Sequence, residues 1–179
     1  WVNDVTSNSS CINKYTVTRT YRATDACSNT ATCAQTIVVN DNVAPSITCP
    51  AATTVTCASN IPAVNTAAAS ATDNCNGAVS ITWVSDVTSN SSCINKFTVT
   101  RTYRASDACN NTATCAQVIV VNDNVAPSMS CPAATTVTCA SNIPAANTAS
   151  VTAADNCGPV TVSWVGDQTS ATNCANKFT

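Results

Sequence analysis

The stretch DACSNTATCAQTIVVNDNVAP, residues 25–45, returns almost unchanged as DACNNTATCAQVIVVNDNVAP at residues 107–127. The second copy begins 82 residues after the first, and residues 1–45 match residues 83–127 at 40 of 45 positions. A third copy starts at residue 125 with VAPSMSCPAATTVTCASNIPA, against VAPSITCPAATTVTCASNIPA from residue 43. The sequence therefore predicts a tandem array whose repeat has the length of one small β-sandwich.

The repeat boundary is expected at the turn that ends in Pro45 and Pro127. A residue that precedes proline is disfavoured in a helix, and the Asn-Asp-Asn before it supplies turn formers. We therefore interpret residues 1–43 as the C-terminal part of one module, residues 44–125 as a complete module, and residues 126–179 as the N-terminal part of a third. We expect this chain to be a section of a longer array.

The composition favours an all-β fold. The chain has 30 Thr and no Leu or Glu, so β-branched residues dominate and the best helix formers are scarce. Alternating polar and apolar residues predict the strands of the complete module, with a weak candidate at 63–72 and the others at 46–49, 53–57, 78–86, 96–106 and 112–122. These features predict tandem immunoglobulin-like β-sandwich modules of about 82 residues.

Segment 96–106 predicts one inward face, which contains Phe97, Val99, Arg101, Tyr103 and Ala105. We expect the stem of Arg101 to pack in this face while its head reaches a carboxylate such as Asp107 or a sheet edge; a solvated arginine at an open edge is the alternative. Trp83 is expected to pack against a disulfide, with ligand stacking as the alternative. Strand 112–122 is expected at an exposed edge, where a neighbouring chain can pair with it.

The 13 cysteines recur six to a module and are best explained as disulfides. A structural zinc site needs four closely spaced ligands, but the chain has no His, and Cys109 and Cys115 are separated by five residues. No thioredoxin-like Cys-x-x-Cys motif is present. Dense disulfides stabilise small cores and indicate a compartment outside the reducing cytosol.

Six cysteines allow fifteen pairings, so the connectivity is a hypothesis from topology. The hairpin between the last two strands favours Cys109–Cys115, and its counterpart Cys27–Cys33 in the preceding repeat. The order of the earlier strands favours Cys49–Cys75 and Cys57–Cys93. The same pattern predicts Cys131–Cys157 and Cys139–Cys174 in the third repeat. Cys11, the counterpart of Cys93, is then expected to pair with a cysteine outside the 179 residues.

The segments TRTYRATDACSNTATC, VVNDNVAPSITCP and SATDNC resemble the hyalin-repeat (HYR)-like modules of large bacterial surface proteins, especially those of the Bacteroidetes. The resemblance covers essentially the whole chain. It implies immunoglobulin-like sandwiches arranged in tandem in secreted adhesins, stalks and filaments. One departure is the residue before Asn in the family's DACGN turn, which is Ser28 or Asn110 instead of Gly. The sequence leaves open whether Ser28 adopts the same turn.

Two kinds of modification are weighed at the surface of the modules. The linker VNDNVAP resembles the calcium-binding linker of cadherins, with Asp41, Asp73 and Asp123 as candidate ligands; an Asx-turn that shapes the linker is the favoured alternative, so no cofactor is expected. The N-x-S/T pattern offers three acceptors for glycosylation, Asn8, Asn90 and Asn110.

Charge and motif content narrow the function. Only 9% of the residues are charged and the net charge is -2, so neither a nucleic-acid surface nor a membrane span is predicted. No His or Glu and no nucleophile beside a base supports catalysis, and we expect no enzyme. We predict an extracellular structural repeat of a bacterial filament, stalk or adhesin, whose partners are neighbouring modules and other copies. The alternative is a module that binds carbohydrate or a surface through loops at one end.

Overall fold

The regular structure of this chain is almost entirely β-strand. The computed structural model describes residues 2–75 and 77–169, and within these ranges it contains eleven strands, four short 3-10 turns and no α-helix. The strands are β1 Asn3–Cys11, β2 Lys14–Thr24, β3 Thr30–Asn40, β4 Ser46–Thr48, β5 Thr53–Val55, β6 Ser70–Thr72, β7 Ser80–Cys93, β8 Lys96–Ser106, β9 Thr112–Asn122, β10 Ser128–Ser130 and β11 Thr152–Ala154. The predicted all-β class is confirmed.

The module at residues 44–125 is built from two sheets. The larger sheet has the order β5-β9-β8-β7, in which β5 runs parallel to β9 and the other pairs are antiparallel. The smaller sheet pairs β4 with β6, and β4 lies against β8 and β9. Two predicted strands, 96–106 and 112–122, match β8 and β9 at both ends, whereas β7 continues to Cys93 and the weak candidate at 63–72 yields only β6.

The core of this module is the inward face of β8 and β9. Val99, Tyr103 and Ala105 on β8 are at most 4% exposed, and Ile119 and Val121 on β9 are at most 1% exposed. These positions alternate along each strand with more exposed ones, as the pleat requires. The predicted inward face of segment 96–106 is confirmed, with Phe97 half-buried at its end.

Arg101 lies in this core, and its partner differs from the predicted one. Its guanidinium donates to both carboxylate oxygens of Asp86, which is the residue opposite it on β7, and to the carbonyl of Pro62. Asp107 was the wrong candidate, because it lies in the β8–β9 turn and accepts hydrogen bonds from Cys109 and Asn111 there. Arg101 is 4% exposed, so the alternative of a solvated arginine is also wrong.

Two further expectations need correction. Strand 112–122 is not an edge, because β9 lies between β5 and β8, and the edge beside β8 is β7. Trp83 is 47% exposed instead of packing in the core, and its indole N–H donates to Asp86 at 2.9 Å. Trp164 makes the same contact with Asp167, so the indole caps the carboxylate three residues ahead in both repeats.

The neighbouring repeats contribute one half each. Strands β1, β2 and β3 form an antiparallel sheet that is the counterpart of β7, β8 and β9. Strands β10 and β11 form the counterpart of β4 and β6, with Met129 opposite Ala153. Among the described residues, no helix is long and apolar enough to cross a membrane.

Candidate functional site at the repeat junctions

Each junction between repeats begins with a turn built on an aspartate. Asp41 accepts a hydrogen bond from the backbone N–H of Val43, and Asp123 accepts the same bond from Val125, both at 3.2 Å. The backbone N–H of Asp41 donates to the carbonyl of Asn13, as that of Asp123 does to Asn95. Both junctions therefore contain the predicted Asx-turn, which ties the linker to the end of the preceding sheet.

One of the three disulfides lies inside the complete module. Cys49, directly after β4, is bonded to Cys115 on β9, with 5.7 Å between their Cα atoms. Cys115 is the cross-strand partner of the buried Tyr103 and shares its face of the sheet. The bond therefore joins the small sheet to the large one across the core.

The other two disulfides join consecutive repeats. Cys11 at the end of β1 is bonded to Cys109 in the β8–β9 turn, and Cys57 after β5 is bonded to Cys157 after β11. The Cα atoms are 5.2 Å and 5.1 Å apart, and the bonds span 98 and 100 residues of sequence. Each junction thus carries a covalent link between modules that the sequence did not predict.

The predicted hairpin pairs Cys109–Cys115 and Cys27–Cys33 are wrong. Cys109 lies in the turn and contacts the preceding repeat, while Cys115 lies three residues along β9 from the Ser106–Thr112 pair and points to Cys49. In the first repeat, Cys27 and Cys33 are both exposed and are not bonded to each other. Cys11 was expected to pair outside the chain and instead pairs within it.

The predictions for the front strands fail for a geometric reason. Because β4 and β6 are antiparallel, with Ser46 opposite Thr72, Cys49 and Cys75 lie beyond opposite ends of this pair. Cys49–Cys75 and its counterpart Cys131–Cys157 are therefore wrong. Cys57–Cys93 is wrong as well, since Cys57 is bonded to Cys157 and Cys93 is exposed. Cys139–Cys174 stays a prediction, because Cys174 lies outside the described residues.

Asn95 joins three segments at the second junction and was missed by the sequence analysis. Its side-chain oxygen accepts from the N–H of Ala58 at 2.9 Å, and its side-chain amide donates to the carbonyl of Cys157 in the next repeat at 3.1 Å. The residue is 9% exposed. The only signal was its reappearance as Asn13 in the repeat, which does not distinguish a buried amide from a surface one.

The β8–β9 turn presents Cys109 to the preceding repeat. Oδ1 of Asp107 accepts from the N–H groups of Cys109 and Asn111, and Oδ2 accepts from the side-chain amide of Asn111. Burial opposes ionisation, but these hydrogen bonds hold the pKa of Asp107 below its ordinary value. The same Asn111 amide donates to the carbonyl of Asp41 at 3.3 Å, so the turn also contacts the linker.

The matching turn in the first repeat settles the question that Ser28 raised. Ser28 has φ 68°, and Asn110 has φ 66°. Asp25 accepts from Cys27 and Asn29 as Asp107 does from their counterparts. Ser28 therefore adopts the same left-handed turn, a conformation that serine tolerates less well than asparagine or glycine.

A small acidic cluster recurs at both junctions. Carboxylate oxygens of Asp41 and Asp73 and the sulfur of Cys75 lie within 4.8 Å of one another, and Asp123, Asp155 and Cys157 repeat the arrangement. Burial raises the pKa of the Cys75 thiol, as do a hydrogen bond to Asp41 and the negative charges nearby. This thiol is thus less ionised than an ordinary cysteine.

The cluster does not fit the calcium ion considered from the sequence. Calcium takes six to eight oxygens, whereas Asp41 and Asp73 offer four, of which two accept backbone hydrogen bonds. Asp73 Oδ1 is buried with no partner among the described residues, but the third member of the cluster is a sulfur. Cys157, its counterpart, is already in a disulfide.

The three candidate glycosylation sites are all exposed. Asn8, Asn90 and Asn110 have φ between 53° and 66°, which places each at a turn or an irregularity of a strand. Their side chains are accessible to a modifying enzyme. Modification of these sites stays a prediction.

An all-β fold with tandem, disulfide-rich repeats and no assembled catalytic group defines a class of small modules typical of extracellular proteins. Residues 45–121 match the family model described as a HYR-like domain with 4 cysteines. The module in the middle of this chain is thus a HYR-like domain, one that holds six cysteines. Such domains are in general non-enzymatic repeat modules. Neither the curated proteins nor the solved structures contain a match to this chain.

Proposed function

We propose that this chain is a structural section of an extracellular filament, stalk or surface adhesin, in which HYR-like modules are bonded covalently to their neighbours. The observation that carries the proposal is the pair of inter-repeat disulfides, Cys11–Cys109 and Cys57–Cys157. A module that worked alone has no need of either bond. A tandem array that must keep its modules in register gains from both.

Noncovalent contacts at the junctions support the same role. Asn95 binds the carbonyl of Cys157, and Asn111 binds the carbonyl of Asp41, so each junction has a hydrogen bond from a side chain to the backbone of its neighbour. A linker held by such bonds restricts the rotation of one module against the next. Disulfides of this density also favour an oxidising compartment, and we place the protein at the cell surface or in secreted material.

The experiment that tests this role compares three proteins by small-angle X-ray scattering. The wild-type chain should give a narrow distribution of interatomic distances. The variant with Cys57→Ser and Cys157→Ser should give a broader one, because the second junction loses its covalent link. The control removes Cys49 and Cys115 instead, and should loosen the module core while the junction bond remains. Equal scattering from wild type and the junction variant contradicts the proposal.

Localisation needs its own measurement. A protease added to intact cells that produce the protein should cleave the repeats only after a thiol reductant opens the disulfides. Repeats that become accessible to the protease only after the cells are lysed contradict the extracellular placement.

A further inference from the structure

The first and third repeats of this chain expose complementary halves of one module. The sheet β1-β2-β3 is the counterpart of β7-β8-β9, and residues 126–169 are the counterpart of the front part of the complete module. In residues 44–125 the two halves cover each other, with β4 against β8 and β9. In the described residues of the first and third repeats, each half stands without the other.

The open sheet exposes positions that are core in the complete module. Tyr21 is 38% exposed where its counterpart Tyr103 is 1% exposed. The side chain of Arg19 is 37% exposed where that of Arg101 is 4% exposed, although each forms the same ion pair with an aspartate on the neighbouring strand. The inward face of β2 is therefore assembled and uncovered.

The other half presents a matching groove. It has a volume of about 910 Å³, and its lining includes Met129, Cys131, Ile143 and Trp164. Met129 is 63% exposed and Ile143 is 46% exposed, whereas their counterparts in the complete module, Ile47 and Ile61, are partly buried. The groove lies at the surface that β8 and β9 cover in the complete module.

Identical sequences in the two repeats have different backbone structure. Thr53–Val55 forms strand β5 by parallel pairing with residues 119–121 of β9. The same residues recur as Thr-Thr-Val at 135–137, within a stretch of 15 identical residues, and form no strand there. The difference is the partner strand, since the local sequence is the same. A strand equivalent to β9 is what the segment 135–137 lacks.

The unbonded cysteines complete the match. Six described cysteines form no disulfide, three in or beside the open sheet and three on the opposite side of the chain. Each belongs to a pair whose counterpart is already bonded in the structure. Cys33 and Cys131 correspond to Cys115 and Cys49, Cys27 and Cys93 correspond to Cys109 and Cys11, and Cys75 and Cys139 correspond to Cys157 and Cys57.

We propose that a second copy of this chain docks head to tail, with β2 and β3 of one copy filling the groove of residues 126–169 of the other. Residues 135–137 then pair in parallel with residues 37–39, and three disulfides form between the copies, Cys33–Cys131, Cys27–Cys93 and Cys75–Cys139. The contact is heterologous and leaves the same two surfaces open at the ends, so it propagates into a fibre. This inference goes beyond the proposed function, which needs only the bonds already within the chain.

Each new disulfide requires an oxidant, and a small disulfide such as oxidised glutathione supplies it. A cysteine thiolate attacks that disulfide, forms a mixed disulfide and releases one glutathione thiolate. The partner thiolate then attacks the cysteine sulfur and releases the second glutathione. Two thiols lose two protons and two electrons in total, and one oxidised glutathione becomes two reduced molecules.

The test uses two full-length variants that each keep one docking surface, both with Cys174→Ser. The front-blocked variant has Cys27→Ser, Cys33→Ser and Cys75→Ser, and the back-blocked variant has Cys93→Ser, Cys131→Ser and Cys139→Ser. In a glutathione redox buffer, each should stay monomeric alone on a non-reducing gel. An equimolar mixture should give a covalent dimer, and the wild-type chain should give a ladder that collapses to monomer on reduction.

Peptide mapping identifies the bonds and shows that the copies are different molecules. With one variant labelled with ¹⁵N, the three predicted peptide pairs should each join a labelled to an unlabelled peptide. Mapping of Cys49–Cys115 confirms that each variant is folded. A mixture that stays monomeric with Cys11–Cys109 and Cys57–Cys157 intact overturns the docking and leaves the proposed function standing. Bonds between other cysteines overturn it as well.

Discussion

Arg101 on β8 and Asp86 on β7 face each other across the sheet and are joined by two side-by-side hydrogen bonds, at 2.9 Å and 2.8 Å. The arginine is 4% exposed and also donates to the carbonyl of Pro62, which lies in the segment after β5. The pair therefore connects the edge strand of the large sheet to the front half of the module.

Replacing Arg101 by Ala should lower the free energy of unfolding by about 3 kcal/mol, because the change leaves Asp86 and a backbone carbonyl without their donor. Arg101→Lys should recover only part of this loss, since an ammonium group does not reproduce the two-pronged geometry. The matched control is Arg19→Ala, which removes the exposed counterpart of this pair and should cost less than about 1 kcal/mol. Urea denaturation followed by circular dichroism measures all three. Equal losses at Arg101 and Arg19 would contradict the importance of burial.

Asn95→Ala should loosen the second junction. The change removes the acceptor for the N–H of Ala58 and the donor for the carbonyl of Cys157, at a cost of about 2 kcal/mol for groups left unpaired in a buried place. Hydrogen exchange of the Ala58 amide should become faster. Asn60→Ala, at an exposed position nearby, serves as the control and should stay within about 0.5 kcal/mol of wild type. Unchanged protection of Ala58 in the Asn95 variant argues against this role.

The turn residue Asn110 allows a test of backbone strain. Asn110→Gly should stabilise the module by a few tenths of a kcal/mol to about 1 kcal/mol, because glycine adopts positive φ without steric cost. Asn110→Ser, which installs the residue found in the first repeat, should destabilise it. Ala108→Gly in the same turn is the control and should destabilise slightly, since it only increases the freedom of the unfolded chain. The midpoints of guanidinium unfolding rank the variants, and a loss of stability in Asn110→Gly is the contrary result.

Acid should weaken the β8–β9 turn through Asp107. Hydrogen bonds to the ionised carboxylate outweigh its burial and hold the pKa of Asp107 below its ordinary value of 3.8. A group whose pKa is lower in the folded state stabilises the fold above the ordinary value and loses that contribution as the pH falls through the folded one. The free energy of unfolding should therefore fall with the pH below about 4, and Asp107→Asn should flatten this dependence. Asn111→Ala, which removes two of the donor contacts but keeps the acid, should flatten it in part. A full slope in the Asn variant counts against the assignment.

The sequence predicts the strands better than the bonds between them. The alternation in segments 96–106 and 112–122 is local, and it identified β8, β9 and the inward positions of Val99 and Tyr103. The disulfides failed because the hypothesis kept each pair within one repeat. Cys109 was close in sequence to Cys115, but the turn directs it to Cys11, 98 residues away. A repeat period shows which cysteines are equivalent and gives no sign of which repeat holds the partner.

The ion pair and the β5 strand show the same limit from another side. The pattern placed Arg101 inward but not its partner, because the register of β7 against β8 shifts between Trp83 and Ser85 and decides which carboxylate lies opposite. Residues 53–55 and 135–137 have one sequence and two structures. Their state depends on a strand distant in sequence, which no local propensity describes.

The three disulfides also create a short covalent path through a long polypeptide. From Cys11 the path crosses to Cys109, runs six residues to Cys115, crosses to Cys49, runs eight residues to Cys57 and crosses to Cys157. It contains fourteen residue steps, against 146 along the backbone between Cys11 and Cys157. Fourteen steps extend to about 50 Å, so a pulling force reaches taut sulfur bonds before most of the sheets can unravel. Under oxidising conditions the array behaves as a nearly inextensible tether, and a reductant turns it into one that lengthens severalfold under the same load.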